Sequence, residues 1–414
     1  ERLVKEHGFP GSYRTVAAYV AEKKRALGRD SRSALPLEHI PGEAQVDFGE
    51  ADYLDNGTLV HGAYVSVSFP YSNGGFLQLT PGQNAECLFS ALIAIFLWIG
   101  GVPTRFWFDN TSVAVKRILR DGERELTDRF RRFQEHFGFQ VAFCNPASGH
   151  EKGSVENKVG YHRRNFLVPV PEFQELDAYN GELLGRCDQD NQRAHYRKER
   201  LIAELFSDDQ ATFLKLPRIE FDASRYERLR ADAYGMIGLE QGRHRYSTSP
   251  RYAGEHVTVQ VTAQKVVILD ESLRPVVVHR RLYGNGKQET MDWLPYLSTL
   301  ARRPGALKYT AVYEMMPEVL RSWIDAQPRQ QVGTALGLLA TLTRASSFNA
   351  ACNAVGETIG RGVTDADSLV ALHDRMTRYS ALCEPLTAPQ MLIDAPAVSF
   401  DPERYNAMLP GGGR

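Results

Sequence analysis

Between Gly42 and about Pro171 the apolar positions change period several times. The stretches "AQVDFGEADYL", "HGAYVSVSFP" and "GGFLQLTPG" are rich in β-branched and aromatic residues and are separated by Gly and Pro, which predicts three strands. "NAECLFSALIAIFLWIGG" follows at helical period, with Asn84 as its cap and Gly100-Gly101 as its stop. "TRFWFDN" predicts a fourth strand, "ELTDRFRRFQEHFG" an amphipathic helix and "FQVAFCN" a fifth strand. "GSVENKVGYHRRNFL" closes the module as a helix. Three antiparallel-type strands followed by alternating helices and strands imply a mixed sheet with helices on its faces. The pattern does not encode the strand order.

The flanking pattern divides the rest of the chain. Residues 1–28 contain "GFPGSYRTVAAYVAEKKR", a turn and a helix capped at Ser12 with a Val16, Tyr19, Val20 stripe, and 29–41 read as linker. The core is expected over 42–172 and a polar helical connector over 173–231. Over 232–284 the alternation of Val257, Val259 and Val261, then the Val266–Leu269 and Val276–Val278 runs at hairpin spacing, predict a small β-barrel. Residues 285–414 return to helical period. The expected fold class is therefore multidomain: an α/β mixed-sheet core, a small β-barrel and a C-terminal helical region.

Composition narrows the class. The chain has 414 residues, long for one core, and its 43% hydrophobic content fits a folded protein. Five scattered Cys without a CxxC pair argue against a structural zinc site or a disulfide framework and fit a reducing cytoplasm. The longest apolar run, "CLFSALIAIFLWIGGV", falls short of the ~20 residues a spanning helix needs, and the charged "ERLVKEHGF" opening does not resemble a signal peptide. Net charge is −1, yet "RFRRF", "YHRRN", "RAHYRKERL" and "VVVHRRL" are local basic islands.

Against that background three acids stand out. Asp47 interrupts the strand "QVDFG", although strands are depleted in Asp, and its two apolar neighbours favour it over Glu50 and Asp52. Asp109 ends the aromatic strand "FWFDN", and Glu156 lies early in the closing helix. A turn cap at Asp109 and a dipole-favoured first-turn acid at Glu156 are the plain structural alternatives. Each acid sits near the end of its element, so the three could converge at one sheet edge. Converging carboxylates repel unless a hard divalent cation such as Mg²⁺ takes them as oxygen ligands. Two such ions support phosphoryl transfer.

The blocks "PGEAQVDFGE", "FWFDN" and "GSVENKVGYHRRNFL" resemble the three catalytic blocks of DDE transposases with a retroviral-integrase-type core. The first block, with "YSTSPRYAGEHVTVQV" and "VVVHRRL", more narrowly resembles the IstA-type transposases of bacterial insertion sequences that also encode an IstB helper. The resemblance implies a ribonuclease-H-like core, DNA strand cleavage and joining, and Asp47, Asp109 and Glu156 as catalytic, metal-binding acids. It implies Mg²⁺, with Mn²⁺ as a substitute, and as partners the terminal inverted repeats, target DNA and an AAA+ ATPase helper of the IstB type. The interval from Asp109 to Glu156 is longer than in retroviral integrases; "DGERELTDRF" reads as an insertion, and Glu135 and Glu151 stay open as the third acid. No zinc module precedes the core. "GFPGSYRTVAAYV" instead resembles the end of a helix-turn-helix domain, with its upstream part expected before residue 1.

Lys152 and Arg163 share the helical face of Glu156 and, with Arg164, are candidate phosphate contacts, while Gly160 leaves room on that face. His150 reads as a loop hydrogen-bonder. Arg243, Arg245, Arg251, Lys265, Arg280 and Arg281 give the β region a basic character suited to DNA backbone, or to interdomain packing. A nuclease of the same fold that only hydrolyses and a non-enzymatic DNA-binding regulator are the rival functions. No GxxxxGK[ST] loop is present, so ATP dependence requires a partner. Two element ends with one active site each require at least a dimer, and a tetramer is compatible. Residues from about Tyr309 to Tyr379 are the candidate helper-docking surface. The expected location is the bacterial cytoplasm, associated with the nucleoid.

Overall fold

The computed structural model describes residues 13–27, 39–108, 115–118, 124–143, 149–363 and 365–378. They form two compact units, one comprising the chain to Ala231 with Ile237–Thr248 and Gly254–Thr290, the other Asp232–Met236, Ser249–Ala253 and the chain from Met291.

In the first unit, helix α1 (Tyr13–Leu27) precedes strands β1 (Glu43–Asp55), β2 (Thr58–Phe69) and β3 (Gly74–Thr80). The β1–β2 hairpin turns at Asn56-Gly57, whose φ angles of 49° and 77° are both left-handed. Asn and Gly tolerate that region, and a turn of this hand matches the strand twist. Helix α2 (Ala85–Ile99) starts where Asn84 accepts the Cys87 amide at 3.0 Å and ends at Gly100, φ 75°. Both boundaries match the sequence-based expectation. Then come β4 (Arg105–Phe108), the hairpin β5 (Val115–Ile118) and β6 (Arg124–Leu126), α3 (Asp128–Phe137), β7 (Gln140–Phe143) and α4 (Gly149–Phe166). The short β8 (Glu172–Phe173), α5 (Leu176–Asp190) and α6 (Ile202–Gln210) complete the core.

The sheet order is β3-β2-β1-β4-β7, with β8 pairing the far end of β1. β1 runs antiparallel to β2 and parallel to β4, and β4 runs parallel to β7. A three-strand antiparallel meander continued by parallel strands is the ribonuclease-H-like arrangement. One face is closed by aromatic packing. Phe89 of α2 stacks on Phe133 of α3 at 4.5 Å, and Phe96, Phe106, Phe108, Phe130 and Phe139 fill the space around them. Truncating any one of these rings to Ala would cost about 3–5 kcal/mol.

The segment expected as a connector is packed on this core. Leu183, Leu184 and Cys187 of α5 and Phe206 of α6 belong to the same buried cluster. Asn180 of α5 accepts the Leu79 amide at 2.8 Å and donates to the Leu79 carbonyl at 2.9 Å. That pair satisfies the Leu79 position on the open edge of β3, where unpaired groups would otherwise template non-native pairing.

The β region holds β9 (Arg225–Arg230), β10 (Met236–Leu239), β11 (His244–Ser247), β12 (His256–Val261), β13 (Lys265–Leu269), β14 (Pro275–Arg280) and β15 (Gln288–Thr290). The alternation in β12 is as the sequence predicts, with Val257, Val259 and Val261 buried. A closed barrel, however, is not observed. β14-β13-β12-β9 form one four-stranded sheet and β10-β11-β15 a three-stranded one, and no strand pair among the described residues joins them. Strands of three to four residues in the smaller sheet offer too little backbone to close a ring.

The second unit is helical: α7 (Trp293–Arg302), α8 (Ala311–Met315), α9 (Glu318–Asp325), α10 (Val332–Ala345), α11 (Phe348–Gly360) and α12 (Ala366–Arg378). Asp292 caps α7 by accepting the Leu294 amide at 3.1 Å. Leu297, Leu320, Leu336, Leu339 and Val355 centre its core, and Trp293 stacks on Phe348 at 5.2 Å. The apolar run "VGTALGLLATLT" thus buries Ala335, Leu336, Leu339 and Ala340 within this unit.

Candidate active site and DNA interface

Asp47 lies in the part of β1 paired to β2, one residue beyond Val46, where the described pairing with β4 ends. Its cross-strand partner is Ser66, and Gly49 faces Tyr64. Directly paired residues and those two apart share a face, so Asp47, Gly49, Tyr64 and Ser66 all lie on one side of the sheet. Helix α4 covers that side. Ser66 Oγ and His162 Nδ1 are 2.8 Å apart, the Tyr64 hydroxyl donates to the Val159 carbonyl at 2.8 Å, and Lys158 Nζ donates to the Asn73 carbonyl at 2.8 Å.

Two glycines make this seat possible. A Cβ on Gly49 would stand 2.2 Å from Tyr64 Cζ, and one on Gly75 would stand 2.4 Å from Lys158 Cε. Burial and the charges of Lys158 and Arg193 hold His162 well below the usual imidazole range, so its ring is neutral in the Ser66 bond. Burial, reinforced by Arg193, lowers Lys158 to about 8.

Asp47 itself is half-buried and its Oδ1 accepts the Phe48 amide at 2.8 Å. In the parallel pair Val46 is opposite Phe108, the last described residue of β4. Asp109 follows directly in sequence and lies outside the described residues. Glu156 lies on α4, one turn before Val159; its side chain, like those of His150, Glu151 and Lys152, is outside the described atoms. Glu135 sits on α3, on the face of the sheet opposite α4's attachment, as its neighbours Phe130, Phe133 and Phe137 pack into the aromatic core. Among the described residues no three metal-ligating side chains converge.

The expected DNA contacts separate into classes. Arg163 and Arg164 are exposed at the end of α4, and a Cβ on Gly160 would lie 3.1 Å from Arg164 Nη1, so glycine lets that side chain fold along the helix. Arg243, Arg251 and Lys265 are exposed, while Arg245 lies 3.6 Å from Glu289. Arg280 is largely exposed and pairs with Asp55. Arg281 is buried, donating to Glu86 at 3.1 Å and to the Thr262 carbonyl at 2.9 Å, which engages it within the protein.

Glu86, in the first turn of α2, was not singled out by the sequence pattern. It is 2% exposed and gathers Arg129, Arg281 and, at 3.8 Å, Arg225. Burial alone would raise its carboxyl, but the three guanidiniums hold it below the usual carboxylate range. With Tyr283, which donates to the Ala263 carbonyl and meets Asn84 at 3.3 Å, this knot joins the β region to the N-terminus of α2. Tyr64, Ser66 and His162 were also missed. The signal available for the first two was polar atoms recurring every second residue in the otherwise apolar "AYVSVSF".

Residues 216–291 match the family of the Mu transposase C-terminal domain. The whole chain is similar to a transposase of Aminobacter aminovorans, 31% identical over 97% of this chain and 81% of that protein. The chain belongs to the transposases of bacterial insertion sequences. A transposase for insertion sequences IS1326/IS1353 from Pseudomonas aeruginosa is also 31% identical, over 76% of this chain and 63% of its own length. In solved structures, the transposase is similar to the HTLV-2 integrase catalytic core domain, at 14% identity over 41% of this chain and 99% of that one; the TM-score of 0.30 gives this likeness no weight.

Proposed function

We propose that this transposase cuts insertion-sequence ends and joins them to target DNA with Asp47, Asp109 and Glu156 as its metal-holding acids. The observation that carries the assignment is the pairing of Asp47 with Ser66, whose hydroxyl bonds to His162 of the helix that bears Glu156. A strand carboxylate is thereby held on the sheet face that this helix covers. Asp109 follows Phe108 directly in sequence and is the second acid on the strength of the block "FWFDN".

A half-buried aspartate oxygen suits a hard cation, Mg²⁺ or Mn²⁺, better than a soft one. Asp47, Asp109 and Glu156 would hold such ions, whose charge would supply activation of a hydroxyl nucleophile and stabilisation of the leaving oxygen at a phosphodiester. The chain's own part is to fix the carboxylates and hold the DNA. Lys152, Arg163 and Arg164 on α4 and Arg243, Arg245 and Arg280 in the β region are the proposed phosphate contacts. Arg281 supports them by anchoring that region to Glu86.

Two DNA ends call for at least two protomers, dimeric or tetrameric, and the absent nucleotide loop leaves ATP chemistry to a helper of the IstB type. We place the protein in the bacterial cytoplasm with the nucleoid; among the described residues no helix is long and apolar enough to cross a membrane. The test is a joining assay with labelled, pre-cut element ends and a target duplex in Mg²⁺. Joined products support the proposal, whereas hydrolysis without joining would make the protein a nuclease.

A further inference from the structure

The basic island "RAHYRKER", Arg193 to Arg200, connects α5 to α6, and beyond Arg193 it takes no part in the site described above. It is a closed loop rather than a loose one. Ala194 bridges Leu201, the His195 amide donates to the Arg200 carbonyl at 2.9 Å, and the Ile202 amide donates to the Arg193 carbonyl at 3.0 Å. At its tip, His195 Nδ1 accepts the amides of both Arg197 and Lys198, at 3.1 and 2.9 Å. Those two bonds fix the direction of the backbone that carries the cations.

Aromatic rings hold the tip charges at close range, and Asp208 and Asp209 act on Lys198 from beyond ion-pair distance. The Arg197 guanidinium lies 5.1 Å from the Tyr196 ring centroid, and Tyr196 in turn stacks on His195 at 4.8 Å. Lys198 Nζ sits 3.7 Å over the Tyr71 ring and donates to the Tyr71 carbonyl at 2.7 Å. Among the described residues neither cation has a carboxylate within ion-pair distance. Arg200, by contrast, is paired with Asp208 at 2.9 Å. Tyr196 remains 68% exposed, large for an aromatic side chain on a rigid loop.

The base of the loop is bound to the helix of the proposed active site. Arg193 pairs with Asp190 at 3.2 Å and stacks over the Tyr161 ring at 4.8 Å, and the Tyr161 hydroxyl donates to Asp190. Tyr161 is on α4, five residues and about 7.5 Å along the axis from Glu156. Arg163 and Arg164 project from the next turn of the same helix.

We propose that the Arg193–Arg200 loop is a DNA-backbone contact flanking the catalytic helix, with Arg197 and Lys198 as its phosphate partners and Tyr196 as the platform that orients Arg197. This proposal rests on the transposase function above. A polyanion is the occupant that suits two cations held in no close ion pair on a pre-ordered tip, because little ordering entropy opposes their binding. Duplex DNA lying along α4 is the polyanion this protein meets.

The experiment measures binding of the full chain to a fluorescein-labelled 40-base-pair duplex by anisotropy, over about 50 to 200 mM salt. Arg197→Gln with Lys198→Gln is expected to weaken binding and make the slope of log K against log salt shallower by up to about 1.8, about 0.9 per phosphate contact. The charge-keeping exchange, Arg197→Lys with Lys198→Arg, should retain the wild-type slope, and thermal melting should be unchanged in both. An unchanged slope in the Gln variant overturns the loop assignment alone. Equal loss in the charge-keeping variant overturns it as well, because shape rather than charge would then decide. A wild-type chain that binds no DNA defeats both this proposal and the function on which it rests.

Discussion

The Tyr64 hydroxyl donates to the Val159 carbonyl at 2.8 Å while its ring covers Gly49, two residues beyond Asp47 in β1. One side chain of β2 thus spans the strand of the first acid and the helix of the third. Burial raises the Tyr64 hydroxyl to about 12, so it stays a neutral donor across the working pH range.

Two substitutions probe that link. Tyr64→Phe removes the donor and should cost about 1 kcal/mol in chemical denaturation. Gly49→Ala sets a methyl group 2.2 Å from the Tyr64 ring, which must move, at about 1–3 kcal/mol. Both should lower DNA cleavage more than DNA binding, because they disturb the seat of α4 and leave the proposed phosphate contacts of the β region in place. Equal loss of binding and cleavage would indicate general unfolding instead.

The Glu86 knot makes a different prediction. Glu86→Gln leaves three guanidiniums around a neutral amide and should cost about 3–5 kcal/mol. Because the folded carboxyl lies below its ordinary value of 4.5, its contribution is complete above about pH 4.5 and is lost as pH falls through the depressed value. Wild type and variant should therefore converge in stability at low pH. Arg281→Ala should be comparably destabilising and leave the salt slope of DNA binding unchanged.

Asp209 acts in the opposite sense. It is fully buried on α6 and its Oδ1 accepts the Gly42 amide at 2.7 Å, just before β1. Burial pushes its carboxyl up to about 6, against the pull of hydrogen bonds from Ser72 and Gly42. The folded state therefore holds a proton that the unfolded state has lost, and stability should fall as pH rises from about 4 to 6. Asp209→Asn keeps an acceptor for Gly42 and should flatten that part of the stability–pH curve by about 2–3 kcal/mol.

Much of this architecture was written in local pattern. The Asn84 and Gly100 signals bound α2 because capping and the left-handed stop are decided within a few residues. The place of Asp47 within a strand was legible because Val46 and Phe48 flank it in a strand pattern. What pattern could not supply was pairing at long range. Arg281 read as a DNA contact because its neighbours are basic, yet Glu86, 195 residues away, engages it. His162 read as part of a helical charge run, whereas its partner Ser66 comes from a strand 96 residues earlier. The barrel expected from evenly spaced valines became two open sheets because closure depends on strand length and register, which hydrophobic alternation does not carry.

The most direct test of the proposed acid triad is cleavage of labelled insertion-sequence ends by Asp47→Asn, Asp109→Asn and Glu156→Gln, each compared with wild type in Mg²⁺ and in Mn²⁺. An amide keeps the shape of the carboxylate and removes the charge that holds the cation. All three variants should fall to background cleavage while binding the same DNA with near wild-type affinity. Near-normal cleavage by any one of them would remove that residue from the triad and contradict the assignment.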